Sequence, residues 1–210
     1  MRAAAAHRSL RPAGMALALA ALLAGGCDRL GGALELTGNV AAVAPQPTGP
    51  ERLRVAIPAT GARATLAPVA ESGDVTVWQT LDGITLSLQG GVLIATRGLG
   101  DDLMSADVAG DVAMLRGTGG GGYYPHIRTY LDGEDQTVFR SYQCRRTGQA
   151  RTTLRIDGAA RAARRIAARC TSPRHEFTNV YWLDATGTVL KSRQWISPAM
   201  QYMETERVLR

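Results

Sequence analysis

Residues 74–96 constrain the fold of this chain more than any other stretch. Val75-Thr76-Val77-Trp78-Gln79-Thr80 runs into Asp82-Gly83. Ile84-Thr85-Leu86-Ser87-Leu88 follows, and Gly90-Gly91 separates it from Val92-Leu93-Ile94-Ala95-Thr96. Ile84, Leu86 and Leu88 alternate with polar residues, so a period of two puts them on one face of a strand. The Asp-Gly and Gly-Gly pairs supply the positive φ angles that tight hairpins demand. Together they predict a three-stranded antiparallel meander. Leu53-Arg54-Val55-Ala56-Ile57 alternates in the same way and stops at Pro58.

Further along, residues 127–131 and 137–142 flank Asp132-Gly133-Glu134-Asp135, and residues 177–183 and 189–195 flank Asp184-Ala185-Thr186-Gly187, each as a hairpin. Residues 151–156 read as a separate strand. Residues 159–170 are pulled both ways: alanine and arginine favour a helix, whereas the position between residues 151–156 and the last hairpin favours a strand, which is the reading adopted. Residues 97–115, with Asp101, Asp102, Asp107 and Asp111, read as a loop and then a short helix. Gly117 to Gly122 then form a flexible loop. The fold class is mainly β: antiparallel sheets, as a sandwich or barrel-like, with one or two short helices.

The N-terminus addresses location. Arg2, Arg8, Arg11 and His7 precede an uncharged run over residues 12–26, dominated by Ala and Leu, that ends at Cys27. The run is short of the roughly 20 residues needed to span a bilayer, and its basic, apolar, small-residue order is that of a secretory signal. Leu23-Ala24-Gly25-Gly26-Cys27 resembles the bacterial lipobox, which makes Cys27 the expected lipidation site and mature N-terminus; the alternative is a soluble secreted protein cut nearby. The predicted organisation is a lipoprotein signal peptide over 1–26, a lipid-anchored tether over 27–50 containing Gly31-Gly32, Pro45, Pro47 and Pro50, and a mainly β, periplasm-facing domain over 51–210. The 210 residues hold 24 Lys plus Arg and 18 Asp plus Glu, with Lys191 the one lysine. Three arginines fall in the signal, so the remainder is only mildly basic and nucleic acid is not an expected partner. With Cys27 acylated, Cys144 and Cys170 remain, and an oxidising compartment favours a disulfide between them over a catalytic thiol.

Trp78, residues 82–86, residues 91–103, Asn179-Val180-Tyr181-Trp182 and residues 192–198 resemble the YjbF/GfcB lipoproteins, which are encoded with exopolysaccharide and group 4 capsule genes. Thr96-Arg97-Gly98-Leu99-Gly100-Asp101-Asp102-Leu103 is the most specific part. The resemblance implies a lipid-anchored, mainly β protein facing the periplasm that assists polysaccharide export or assembly, with no agreed catalytic residues. Cys144 and Cys170 look like the family's cysteine pair.

The motifs for chemistry are weak. Gly98-Leu99-Gly100 and the later glycine run lack the third glycine of a dinucleotide turn and the Gly-Lys-Ser/Thr ending of a phosphate loop. The aspartates do not have EF-hand spacing, and His126 and His175 lack zinc-motif spacing. No catalytic residue, cofactor or metal is expected. The candidate polysaccharide-binding residues are Arg145, Arg146 and Arg169, which flank the cysteines and which a disulfide would gather, with Arg161, Arg164 and Arg165 close by. Guanidinium forks match carboxylates and phosphates; the plainer reading is a solvated arginine face. Tyr123 and Tyr124, at the end of the glycine loop, are expected to be exposed and able to stack on sugars, whereas Trp78, Trp182 and Trp195 read as core.

These observations lead to a non-enzymatic envelope lipoprotein, with the outer membrane favoured over the inner. Its expected partners are the membrane through the lipid, and polysaccharide and/or an outer-membrane export protein. The alternatives are a periplasmic polysaccharide-modifying hydrolase using Asp101 or Asp102, and a scaffold lipoprotein acting through its sheet edges.

Overall fold

The computed structural model describes residues 45–208. The predicted signal peptide, Cys27 and most of the predicted tether lie outside them. The described residues form twelve strands and one helix: β1 (Arg52–Ile57), β2 (Ala62–Ser72), β3 (Val75–Gln79), β4 (Thr85–Gln89), β5 (Val92–Arg97), β6 (Ser105–Asp107), α1 (Ala109–Arg116), β7 (Tyr124–Leu131), β8 (Thr137–Ile156), β9 (Ala159–Thr171), β10 (Glu176–Leu183), β11 (Val189–Ser197) and β12 (Gln201–Val208). All pairings are antiparallel, in the order β5-β4-β3-β2-β1-β12-β11-β10-β9-β8-β7-β6. The two ends of the sheet approach each other: Thr96 N, on β5, donates to Leu103 O at 2.9 Å, just before β6. The sheet thus curls into a nearly closed barrel.

The predicted meander is present as β3, β4 and β5, with Gly83 at φ 91° and Gly91 at φ 88° in its turns. Leu53, Val55, Ile57, Trp78, Leu86 and Leu88 point inward into one core cluster with Ile196 and Met203. Helix α1 closes a second cluster: its Val112, Met114 and Leu115 pack on Ile166, Ala168, Tyr181 and Leu183 of β9 and β10. It ends where Gly117 adopts φ 76° and its N–H turns back to Met114 O.

Residues 159–170 are strand, inside β9, because pairing on both sides and burial of Ile166, Ala168 and Cys170 at period two outweigh helix propensity. Residues 151–156 are not a separate strand. They are the far end of the 20-residue β8, which a bulge between Arg146 and Gly148 carries onward without a break. The sequence reading passed over β2 and β12. In β2, Pro68 sits at a register shift, where its missing N–H costs the ladder little. In β12 the polar Thr205 shares the buried face with Met203, which blurs the alternation.

The barrel interior is partly polar. His126, Arg128 and Tyr130 alternate along the inner face of β7. Arg128 donates to Trp195 O at 2.8 Å and Ile196 O at 3.1 Å, and Tyr130 Oη donates to Ile196 O at 2.6 Å. These carbonyls need partners because the β10–β11 ladder runs only as far as Val180 opposite Arg193. Asn179 Oδ1 accepts from Trp195 N in the same gap.

Candidate polyanion-binding arm

Strand β7 pairs with β8 only as far as Tyr124 opposite Cys144, and β10 pairs with β9 only as far as Leu183 opposite Arg164. Beyond those points β8 and β9 continue as a two-stranded arm to the turn at Asp157-Gly158, both residues having positive φ. Asp157 ties the tip to Arg54 at 2.7 Å, and Arg54 also pairs with Glu206 at 2.7 Å. These bonds, Asp157 first, hold the Arg54 pKa above its ordinary value.

The β8–β9 hairpin, residues 137–171, carries nine arginines and one aspartate. Residues 45–136 carry six arginines and eleven acids. The mild overall balance therefore conceals a strongly basic arm on an acidic body, a distribution that attracts anions at a distance.

The disulfide predicted from the sequence joins Cys144 and Cys170, which sit directly opposite each other in the ladder. Both are fully buried among Tyr142, Phe177 and Trp195. The next residues, Arg145 and Arg169, are also opposite each other, and alternation turns both outward. Like charges directly opposite in a ladder repel. Here each is engaged by a neighbour: Arg169 makes two bonds to Glu176 Oε2, at 2.6 and 3.2 Å, and the Arg145 guanidinium lies 5.3 Å from the centre of the Tyr123 ring. Glu176 raises the Arg169 pKa above its ordinary value through that hydrogen bond. Tyr123 is 64% exposed, as its loop position predicted.

Two of the sequence candidates fall elsewhere. Arg146 projects from the other face of the ribbon, opposite Ala168, and donates to Gln149 at 2.9 Å. Tyr124 is not an exposed platform: it is half-buried, and its hydroxyl donates to Asp111 Oδ1 at 3.2 Å. Burial first, and then the Asp111 charge, push its pKa far above the ordinary tyrosine value. Asp111 also lies 2.6 Å from His126 Nδ1, so a residue read as a helix-start acid and a histidine without zinc-motif spacing form a buried pair. Arg165 lies over Trp182 at 5.8 Å, on the same face as Arg145 and Arg169, and Trp182 is only partly covered rather than core. Arg161 continues this face.

The aspartates of the hydrolase alternative are engaged in loop structure. Asp102 accepts from Thr96 Oγ1 at 2.6 Å, Gly98 N at 2.8 Å and Leu99 N at 3.2 Å, and Asp101 accepts from Ala199 N at 3.3 Å. The specific Thr96-to-Leu103 stretch is thus a self-bonded loop that joins the two ends of the barrel. Among the described residues no cluster of His, Cys, Asp or Glu is arranged to hold a metal ion, and no helix is long and apolar enough to cross a membrane.

A nearly closed antiparallel barrel bearing a basic two-stranded arm defines a mainly β fold on which, among the described residues, the β8–β9 hairpin gathers a row of guanidinium groups. The chain belongs to the YjbF family, described as "Group 4 capsule polysaccharide lipoprotein gfcB, YjbF", whose sequence model matches residues 46–208. That membership associates it with the capsule polysaccharide lipoproteins of the cell envelope. The structure is similar to that of the hypothetical lipoprotein YmcC from Escherichia coli K12, at 20% identity and a TM-score of 0.59, over 75% of this chain and 86% of that one. A putative exported protein with a YmcC-like fold from Bacteroides fragilis aligns at 12% identity and a TM-score of 0.28, over 75% and 92% of the two chains. No curated protein matches the chain.

Proposed function

We propose that the chain is a lipoprotein anchored through Cys27, facing the periplasm from the outer membrane, that assists polysaccharide export or assembly by holding an acidic polymer against the outer face of β8 and β9. The observation that carries this reading is the directly opposed Arg145 and Arg169 beside the exposed Tyr123, on a hairpin with nine arginines and one acid. Guanidinium forks take up carboxylates in bidentate fashion, and an aromatic ring offers an apolar platform to a sugar face. Arg169, Arg165 and Arg161 follow every fourth residue of one strand, about 13 Å apart at strand rise, a spacing that suits a repeating polymer better than a single small anion. The engagement of Asp101 and Asp102 in loop hydrogen bonds favours binding over hydrolysis.

Complementation of a deletion strain tests the proposal. The intact gene restores polymer secretion. Cys27→Ala releases the protein from membranes and fails to restore it, and an R145A/R169A variant stays in the membrane but restores it only in part. Unchanged secretion in the deletion strain itself would remove the export role, and full restoration by R145A/R169A would remove the arm from it.

A further inference from the structure

The outer face holds only half of the arm's charge. Arg145, Arg161, Arg165 and Arg169 share that face by alternation and register. The other four, Arg146, Arg151, Arg155 and Arg164, lie on the opposite face, where the bulge at Thr147 places Arg151 and Arg155. On the body of β9 that opposite face is the barrel interior, where Ile166 and Ala168 are fully buried. Past Leu183 no third strand joins the ribbon among the described residues, and the same face changes from apolar to basic, with Arg151 and Arg155 exposed and Arg164 half-buried.

There Arg151 and Arg164 stand directly opposite each other, a second pair of like charges in the ladder. Unlike Arg169, neither makes an ion pair among the described residues. Arg164 donates to Leu115 O at 2.9 Å, Arg146 is held by the neutral Gln149, and Arg155 donates to Gly158 O at 3.3 Å. Arg146, Arg151 and Arg155 are exposed. Arg164 is half-buried and Asp184 lines the same hollow, so the groups open to solvent on this face are the guanidinium forks of Arg146, Arg151 and Arg155, which a bound carboxylate or phosphate can bridge.

Resting on the polymer-binding reading above, we infer that the opposite face is a second site for acidic polymer, so that one arm holds two polyanion chains, one on each side of the ribbon. The thickness of the sheet separates the two sites. The arm then acts as a cross-bridge between neighbouring chains, which is an assembly role and not only a capture role. The arm binds a short segment on each face independently, and its effect on long chains comes from engaging both at once.

The test uses the full-length protein in detergent with two probes, a short oligogalacturonide and long-chain polygalacturonate. Calorimetry with the oligomer should give two molecules bound per protein, and light scattering should rise sharply when protein is added to the long polymer. R145A/R169A and R151A/R164A should each bind one oligomer, with affinity at the remaining face unchanged within about twofold. Each should abolish the scattering and weaken long-chain binding by on the order of tenfold or more. R146A/R151A, which spares the Arg164 bond to Leu115, should behave like R151A/R164A and so separates charge loss from disturbed packing.

A stoichiometry of one in the unaltered protein, with all binding lost in R145A/R169A, would overturn the second site and leave the polymer-binding reading standing. Two oligomers bound without any scattering would mean that one chain wraps both faces, which overturns the cross-bridge. No binding of either probe by the unaltered protein would overturn the polymer-binding reading itself.

Discussion

Asp111 is fully buried and serves both Tyr124 Oη and His126 Nδ1. Asp111→Ala strands two buried polar groups at once, and the expected loss is about 3 kcal/mol of stability, measured as a shifted urea midpoint at unchanged slope. An effect below about 1 kcal/mol would mean that the site relaxes or admits water. The buried tyrosines carry a second consequence. Burial, the largest cause for each, raises the pKa of Tyr124, Tyr130 and Tyr181 above the usual 10.0. Near and above that value the unfolded chain loses phenolic protons that the folded chain retains, so stability is intact below about pH 10 and falls as pH rises beyond it. Denaturation curves from pH 8 to 11.5 should show this decline, and a flat profile would contradict the burial of these hydroxyls.

Among the elements, the β8–β9 hairpin differs most from what local pattern suggests. Its alanines and arginines are good helix formers. Cross-strand pairing over thirteen residue pairs and a disulfide hold it extended instead. Closing a loop with a separation of 26 residues stabilises the fold by about 3.5 kcal/mol on the chain-entropy account. Cys144→Ala/Cys170→Ala should lower the unfolding free energy by up to that amount. It should leave the arm extended, because Arg145 remains opposite Arg169 through the ladder itself. Circular dichroism showing gained helix would mean that the bridge, and not the pairing, sets the conformation. The predicted meander and the hairpin around Asp184-Ala185-Thr186-Gly187 were legible because turn chemistry and alternation agreed there. Strands β2 and β12 were not, since one contains proline and the other mixes polar residues into its inner face.

On the scale of the molecule as described, the charge is unevenly spread: the β8–β9 hairpin carries nine arginines and one acid, whereas the other described residues carry nine arginines, one lysine and fifteen acids. That arrangement makes any encounter with an acidic polymer depend on ionic strength, because exposed charges are screened within about 8 Å at physiological salt. On the proposed reading it also orients the encounter, since an acidic polymer would be attracted by the basic hairpin and repelled by the net-acidic remainder. By itself the sequence determined the strand periodicity, the tight turns, the β class, the family resemblance and the cysteine pair, because each depends on residues close in the chain or on residue type alone. Only the tertiary structure decided which face each arginine occupies, since the bulge at Thr147 reverses the alternation on β8 and the ends of β7 and β10 expose the arm. It alone also paired Asp111 with His126 and withdrew Tyr124 from solvent, because those contacts depend on how the barrel curls, a long-range property that no local pattern records.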